Sequence, residues 1–437
     1  MVAIDKIRTI TYLPPFAREC EAVAQRPTKF RSSSRCLKNA VNKYLDTLRS
    51  TEPSGFDLNI DLDDILTQET YYPLHFNDVK EYNHKGSPGP MFSSYGYKTQ
   101  HDVYSDPKAV RTMRKIQHLI KSDKPVSFCW RAAVASATET IDGKVKQRVV
   151  MVPDLTLLHM EKMFAQPIVD SIHHESRALG ARNYCKRMCG PNLVQLDIKS
   201  FDMSVPAWLI QRAFQILFSR FCFTHYYSDS AGFQEVSKRY SLLHCVNVII
   251  SNFIHSKFLA DQYKFQKHHG VPSGSAFTNL VDTVVSRLLA HNALLDQGIS
   301  DAIVSTYGDD TSIKLQRLLD FDPDKCGEYY RNLGFEIEFE PLLPNNHGVF
   351  GKEWCLGNGV GYHPGIFYRN IINCIRDTRY LGLLGYALIS TFSMTPRQAT
   401  GIIQYTGTDF EVRKPPLWLT RLITHGGDKM PGLEAIL

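Results

Sequence analysis

Two pairs of aspartates, widely separated in the sequence, have carboxylate side chains that could bind metal ions. Asp197 and Asp202 have the spacing Asp-x4-Asp at the end of an apolar stretch, and Asp309 and Asp310 follow Gly308 between two β-branched stretches. Carboxylate oxygens suit hard cations such as Mg²⁺. A cation between the pairs would offset the cost of a carboxylate at a buried strand end. Taken alone, the Gly-Asp-Asp sequence is also compatible with an ordinary solvated turn.

A third stretch that could bind a ligand is the loop Gly270–Ser275, with the sequence Gly-Val-Pro-Ser-Gly-Ser. Apolar residues at helical spacing follow it and predict a helix, with Thr278 and Asp282 one turn apart on another face. Loop amides at a helix N-terminus favour anions, so Ser273 and Gly274 could hold a phosphate or a ribose. A buried helix that begins with an ordinary capped turn is the alternative.

A predicted β-ribbon upstream carries several basic residues. Its strands are expected over 126–130 and 147–152, joined by the favoured hairpin turn Asp142-Gly143. Alternate residues of a strand share a face, so the cations near the second strand project together. A triphosphate would relieve their mutual repulsion, and a solvated edge strand protected by lysines is the alternative. The cations concerned are Arg131, Lys144, Lys146 and Arg148.

The elements that must position these residues can be predicted from local patterns. The apolar stretch 193–198 indicates a strand, and 303–314 indicates strand, turn and strand, with Gly308 supplying the backbone freedom of the turn. A helix is expected after the first aspartate pair, with Ser204 as its N-cap. Another helix, rich in lysine and arginine, is expected from Pro107 onward.

The composition sets wider limits on the class of protein. With 437 residues, 43% hydrophobic and 22% charged, the chain resembles a soluble globular protein large enough for about three domains. The net charge of +6 allows a polyanionic partner without requiring one. Ten cysteines without a paired framework indicate a reducing compartment. Neither a membrane span nor a secretion signal is expected, because no apolar stretch is long enough.

The three blocks, in this order, resemble the palm signature of viral RNA-dependent RNA polymerases. Asp197–Asp202 resembles the first palm motif, Ser273–Thr278 the second and Tyr307–Asp310 the third. The fuller strings around the second motif are most similar to polymerases of small double-stranded RNA viruses, the partitivirus and picobirnavirus-like group. The resemblance covers roughly residues 85 to 355.

The resemblance implies an α+β fold, a right-hand polymerase of fingers, palm and thumb with an antiparallel palm sheet backed by helices. The expected divisions are an N-terminal extension and fingers (1–190), palm (191–222), a fingers insertion (223–269), palm again (270–354) and thumb (355–437).

The resemblance also implies roles for individual residues. Asp197, Asp309 and Asp310 are the expected catalytic and metal-binding residues, holding two Mg²⁺ ions for which Mn²⁺ can substitute. The expected nucleotide-binding residues are Arg131, Lys144, Lys146, Arg148, Asp202, Ser273, Gly274, Thr278 and Asp282. The expected template-binding residues are Ser87, Pro88, Gly89 and Lys98.

Two positions depart from the family pattern. Asp282 stands where the second motif usually has an asparagine that helps to sense the ribose 2′-OH. Because Asp202 and Asp282 would repel each other, a hydrogen bond from Thr278 or Ser273 is expected to offset the charge of Asp282. The lysine that usually protonates the leaving pyrophosphate is absent from 333–342. The remaining candidates for that general acid are His347 and Lys352.

Two other functions stay open at this point. A reverse transcriptase also carries Tyr-x-Asp-Asp, but the Ser273–Thr278 block and Asp202 favour a ribonucleotide enzyme. A non-catalytic RNA-binding scaffold would have no use for clustered anions near RNA. The expected partners are an RNA template and its product duplex, nucleoside triphosphates and a viral capsid protein, without a membrane. The expected location is the host cytoplasm, inside the virus particle.

Overall fold

The computed structural model describes residues 51–80, 83–139, 145–178, 192–260 and 263–339, with short pieces at 41–42, 44, 349–350, 353–355, 360–362, 397 and 400. For 134–139, 145–148, 173–178 and the pieces from 349 to 362 the description covers the backbone only.

The described helices are α1 Gly89–Ser94, α2 Gln100–Ser105, α3 Pro107–Lys121, α4 Leu155–Ala178, α5 Phe201–Ser204, α6 Ala207–Phe218, α7 Leu242–Ile254, α8 Thr278–Leu295 and α9 Pro323–Asn332. The described strands are β1 Trp130–Glu139, β2 Val145–Val152, β3 Leu193–Ile198, β4 His225–Ser228, β5 Gly232–Glu235, β6 Lys257–Ala260, β7 Tyr263–Gln266, β8 Ile303–Tyr307, β9 Asp310–Lys314, β10 Ile337–Phe339, β11 Val349–Phe350, β12 Glu353–Cys355 and β13 Val360–Tyr362.

The sheet that carries the acidic motifs has four strands in the order β10-β3-β9-β8, and all of its pairings are antiparallel. In the register, Leu196 lies opposite Thr311, and Tyr307 lies opposite Asp310 across the hairpin. The strand predicted over 193–198 and the hairpin predicted over 303–314 are therefore confirmed.

Helix α8 covers this sheet, packing on β8 and β9 and on helices α6 and α9. Its residues Val281, Val284 and Leu288 are completely buried, and they belong to the largest apolar core of the described chain. This helix begins at Thr278, directly after the Ser-Gly loop, as the apolar spacing predicts. The expectation of an antiparallel palm sheet backed by helices is confirmed.

A second sheet, in the order β2-β1-β6-β7, contains the basic ribbon. Strand β1 pairs antiparallel with β2 and parallel with β6, where Trp130 lies opposite Phe258. The prediction that the first strand begins at 126 is wrong, because pairing starts only at Trp130, where β6 supplies a partner. The turn at Asp142-Gly143 lies outside the described residues.

The chain around Ser204 also differs from the prediction. Ser204 ends the short helix α5, and its hydroxyl donates to the carbonyls of Ser200 and Phe201. Helix α6 begins separately after Pro206, without a side-chain cap. Ser204 is therefore not the N-cap of α6, because its hydroxyl bonds back to the preceding turn.

Within the described residues, no helix has both the length and the apolar character that crossing a membrane requires.

Candidate active site

The turn that carries Asp309 is fixed by helix α8. Gly308 has φ +63°, a left-handed conformation that glycine adopts without a steric penalty. Its amide donates to the Thr283 hydroxyl at 2.9 Å, and its carbonyl accepts from the Ser286 hydroxyl at 2.8 Å. The Thr306 hydroxyl donates to the Thr283 carbonyl at 2.9 Å. These bonds hold the turn without using the side chain of Asp309.

Asp197 and Asp310 meet at the same end of the sheet. Strands β3 and β9 pair as far as Leu196 and Thr311, and Asp197 and Asp310 are the next residues of the two strands at that end of the sheet. Asp309 lies in the turn that follows β8. Such a set of carboxylates has the donor chemistry that Mg²⁺ prefers. In the described part of the chain, no three acidic, histidine or cysteine side chains are close enough to hold one ion as they stand.

The pKa of Asp282 indicates that the carboxylates of Asp202 and Asp309 lie close enough to act on it electrostatically. Asp282 is 6% exposed, and its pKa is raised well above the usual range by burial first, then by the charges of Asp202 and Asp309. Asp202 from α5, Asp282 from α8 and Asp309 from the hairpin therefore converge, although they are distant in sequence. Such an excess of negative charge fits a site that receives cations.

The hydrogen bond expected to offset the charge of Asp282 does not form. The Thr278 hydroxyl is directed to the carbonyls of Pro272 and Ser275, at 2.8 and 2.9 Å. The Ser273 hydroxyl accepts from the amide of Met151 at 3.2 Å. Oδ1 of Asp282 is buried without a hydrogen-bond partner in the described structure. Its raised pKa favours the protonated form, which avoids repulsion from Asp202.

The Ser-Gly loop lies between α5 and the end of the basic ribbon. The Val271 amide donates to the Asp202 carbonyl at 2.6 Å, and the Gly270 amide donates to the Val205 carbonyl at 2.8 Å. On the other side, Gly274 is so close to β2 that an added Cβ would lie 2.0 Å from the Met151 carbonyl oxygen. The loop thus joins two of the predicted site elements through its backbone.

The predicted triphosphate-binding residues differ in how much of each the structure describes. The side chain of Arg131 is exposed at the start of β1. Lys146 and Arg148 lie on β2, opposite Thr138 and Ser136, and only their backbone is described. Lys144 lies outside the described residues, as do both predicted general acids, His347 and Lys352. The roles of all these residues stay predictions.

Among the predicted template residues, only Lys98 is exposed. Ser87 is partly buried, whereas Pro88 and Gly89 are buried. Gly89 packs against the backbone of Pro153 and Asp154. Asp154 accepts from the amide of Thr156 at 2.9 Å, and burial raises its pKa to about 6. The template loop is therefore attached to the same segment, after β2, that contacts the Ser-Gly loop.

Sequence reasoning missed three buried residues around the site: Tyr44, Glu161 and Lys267. Burial, followed by the charges of Asp202 and Asp282, raises the pKa of Tyr44 above its usual range, which places its phenol near the two carboxylates. A signal for Glu161 exists, because it stands four residues after Leu157 on an otherwise apolar helix face. Nothing in the local pattern distinguishes Tyr44 or Lys267.

The fold is the one expected of a palm-type nucleic-acid polymerase, and sequence comparison identifies the family. The sequence model of the viral RNA-dependent RNA polymerase family matches residues 39–341. The chain belongs to this family.

Two relatives show where the chain stands within the class. It is 26% identical over 159 residues to the RNA-directed RNA polymerase of Cryptosporidium parvum virus 1 (strain KSU-1), a match covering 34% of this chain and 26% of that protein. The structure is similar to that of an insertion-loop deletion mutant of the RNA-dependent RNA polymerase of a human picobirnavirus. That likeness has a TM-score of 0.57 at 13% identity and covers 94% of this chain and 84% of the other. It confirms the predicted polymerase fold.

Proposed function

We propose that this chain synthesises RNA on an RNA template, replicating and transcribing a viral RNA genome. The observation that carries the proposal is the convergence of Asp202, Asp282 and Asp309, from three separate elements, at the sheet end where Asp197 meets Asp310. Membership of the family supports it, as does the Ser-Gly loop beside the acidic cluster.

Asp197, Asp309 and Asp310 would hold two Mg²⁺ ions, with Mn²⁺ as a substitute. When bound, such ions activate the primer hydroxyl and neutralise the charge on the leaving pyrophosphate. The donor set fits this use, because it consists of carboxylates. The charge of Asp309, one of this set, already contributes to the raised pKa of Asp282.

The other residues of the site would position the nucleotide. In its protonated form, which burial and the charges of Asp202 and Asp309 favour, Asp282 would donate a hydrogen bond to a ribose hydroxyl, whereas Asp202 can accept one. The exposed Arg131 and the cations of β2 would hold the triphosphate and stabilise its charge. Base pairing with the template would select the nucleotide. The protein would therefore recognise the sugar-phosphate backbone and the shape of the RNA rather than its sequence.

The proposed partners are the RNA template, its product duplex, nucleoside triphosphates and a viral capsid protein. The proposed location is the virus particle in the host cytoplasm. Co-sedimentation of the chain with purified particles is the measurement for this part, and recovery of the chain only in the particle-free fraction would contradict it.

The main test is incorporation of labelled nucleotides by purified protein on a single-stranded RNA template, with and without a primer. We expect incorporation of ribonucleotides that depends on the template and on a divalent cation. Incorporation of deoxyribonucleotides alone would favour a reverse transcriptase. Template binding without any incorporation, with either nucleotide, would favour a scaffold.

Substitutions of Asp282 test its role at the sugar. Asp282→Asn keeps a hydrogen-bond donor at this position and cannot ionise, so activity and sugar discrimination should be kept or improved. Asp282→Ala should weaken discrimination by about tenfold or more, because a group that hydrogen-bonds a hydroxyl selects for substrates carrying it. The measurement is kcat/KM for a ribonucleotide divided by that for its 2′-deoxy analogue. If both variants match the wild type, the sugar is sensed elsewhere.

Arg148→Ala tests whether the basic ribbon of β1 and β2 binds the triphosphate. If the ribbon holds the triphosphate, the KM for nucleotides should rise about tenfold or more while template affinity stays the same, since a charge-assisted contact is lost. Lys124→Ala is the matched control, because Lys124 is an exposed cation just before β1 that has no predicted contact with substrate. Weaker RNA binding with unchanged nucleotide kinetics would instead make Arg148 a template contact.

A further inference from the structure

The Ser-Gly loop, together with the two residues that join it to α8, is held from one side by the buried side-chain amino group of Lys267, whose pKa is lowered well below its usual range by burial. Lys267 is completely buried on the segment leading into the loop, and no carboxylate among the described residues pairs with it. Its Nζ instead lies within hydrogen-bond distance of four main-chain carbonyl oxygens, one more than the three N–H groups of an ammonium can satisfy at once. These oxygens belong to Phe253 (2.5 Å), Ile254 (3.2 Å), His269 (3.3 Å) and Gly270 (2.6 Å).

The four carbonyls come from two different elements. Phe253 and Ile254 are the last residues of α7, where helix carbonyls lack intrahelical partners and favour a cation. His269 and Gly270 open the loop. The amino group of Lys267 therefore fastens the start of the loop to the C-terminal end of α7.

The far end of the loop is held by a buried carboxyl group. Glu161, on α4, is completely buried, and its Oε2 accepts from the amide of Ala276 at 2.9 Å. The hydroxyl of Ser275 also hydrogen-bonds to this carboxyl group, and burial raises the pKa of Glu161 to about 7. Oε1 has no hydrogen-bond partner in the described structure. A buried ionisable group is costly unless its hydrogen bonds compensate for lost hydration.

We propose that Lys267 and Glu161 are positioning residues for nucleotide binding, which clamp the two ends of the Ser-Gly loop so that Ser273, Gly274 and Asp282 face the substrate in a fixed arrangement. Neither side chain touches the substrate in this proposal. The inference rests on the proposed polymerase function for its kinetic consequences, although the clamp itself is a property of the fold.

Hydrogen bonds explain why these residues, and not apolar ones, occupy the two positions. An apolar side chain would pack equally well at 161 but would leave the partly buried amide of Ala276 without an acceptor, which lowers the population of that loop geometry by about tenfold. At 267 it would leave the opening carbonyls of the loop without a donor. An apolar replacement should therefore preserve packing and loosen the loop.

Substitutions at 161 separate positioning from packing. Glu161→Gln keeps an oxygen acceptor for Ala276 and should behave as the wild type. Glu161→Met removes the acceptor at similar volume, so amide exchange in residues 273–278 should become about tenfold faster. The matched control is Gln166→Met on the same helix, because buried Gln166 accepts from the amide of Lys80 and does not touch the loop.

Kinetics give the second measurement. In Glu161→Met and in Lys267→Met, kcat/KM for nucleotides and the preference for ribose over deoxyribose should both fall about tenfold, with template affinity unchanged. Glu161→Gln and Gln166→Met should keep both values. A merely structural role would lower the melting temperature of all the methionine variants without changing the sugar preference.

Hydrogen exchange keeps the inference separate from the proposed function. If the wild-type protein makes no RNA, the function fails, but faster exchange of 273–278 in Glu161→Met still supports the clamp. If exchange in this segment is equal in the wild type and in Glu161→Met, or is accelerated as much by Gln166→Met, the clamp is refuted. Active variants with unaltered sugar preference despite a loosened loop would refute the positioning role.

Discussion

Asp309→Asn is expected to reduce RNA synthesis at least a hundredfold, while the protein stays folded. The reason is that Asp309 lies in a turn held by Gly308, Thr283 and Ser286, so its own charge has no structural use in the described hairpin. Removing one preorganised group that stabilises transition-state charge typically lowers kcat by roughly two to three orders of magnitude. The measurement is incorporation of labelled nucleotides with Mg²⁺, together with the melting temperature.

The matched control is Asp301→Asn. Asp301 is exposed just before β8, at the opposite end of the hairpin from Asp309, so this variant loses the same charge away from the acidic cluster. It should keep full activity. Retention of more than a few per cent of activity by Asp309→Asn, at a normal melting temperature, would remove Asp309 from the metal site.

Elements whose residues satisfy a local pattern were predictable from the sequence. The apolar run of β3 matches its observed bounds, and the helical spacing after Thr278 matches α8. Gly308 also adopts the positive φ that the turn requires. Local propensity and hydrophobic period are enough to predict these features, although contacts with α8 then hold the turn at Gly308. The three site blocks were recognisable for the same reason, since each is a short contiguous string.

Features created by tertiary contacts could not be predicted in this way. The parallel pairing of β1 with β6 joins segments far apart in sequence and sets where β1 begins. Lys267 resembles any surface lysine until α7 supplies carbonyls to its Nζ. The expected partner of Asp282 was wrong because the Thr278 hydroxyl finds nearer acceptors in its own loop. In each case a long-range or competing hydrogen bond overrides the local pattern.

Gly274→Ala is expected to have the second largest effect, because the loop has no room for a methyl group there. A Cβ at this position would lie 2.0 Å from the carbonyl oxygen of Met151 and 2.9 Å from Cδ of Pro153. The first contact is with backbone, so the loop and β2 must separate, which also breaks the bond between Ser273 and the Met151 amide. Overpacking of this kind costs about 1–3 kcal/mol. We expect kcat/KM for nucleotides to fall at least tenfold and the melting temperature to drop.

Gly327→Ala is the control for adding a methyl group elsewhere. Gly327 lies within α9, where the nearest atom to an added Cβ is the flexible end of Arg331 at 3.5 Å. Alanine favours a helix over glycine by about 1 kcal/mol, so this variant should be at least as stable as the wild type and equally active. If Gly274→Ala retains both wild-type kinetics and wild-type stability, the close approach of the Ser-Gly loop to β2 is not needed for the reaction. If it loses stability alone, the contact serves the fold, and the nucleotide-binding role of Ser273 and Gly274 must be given up.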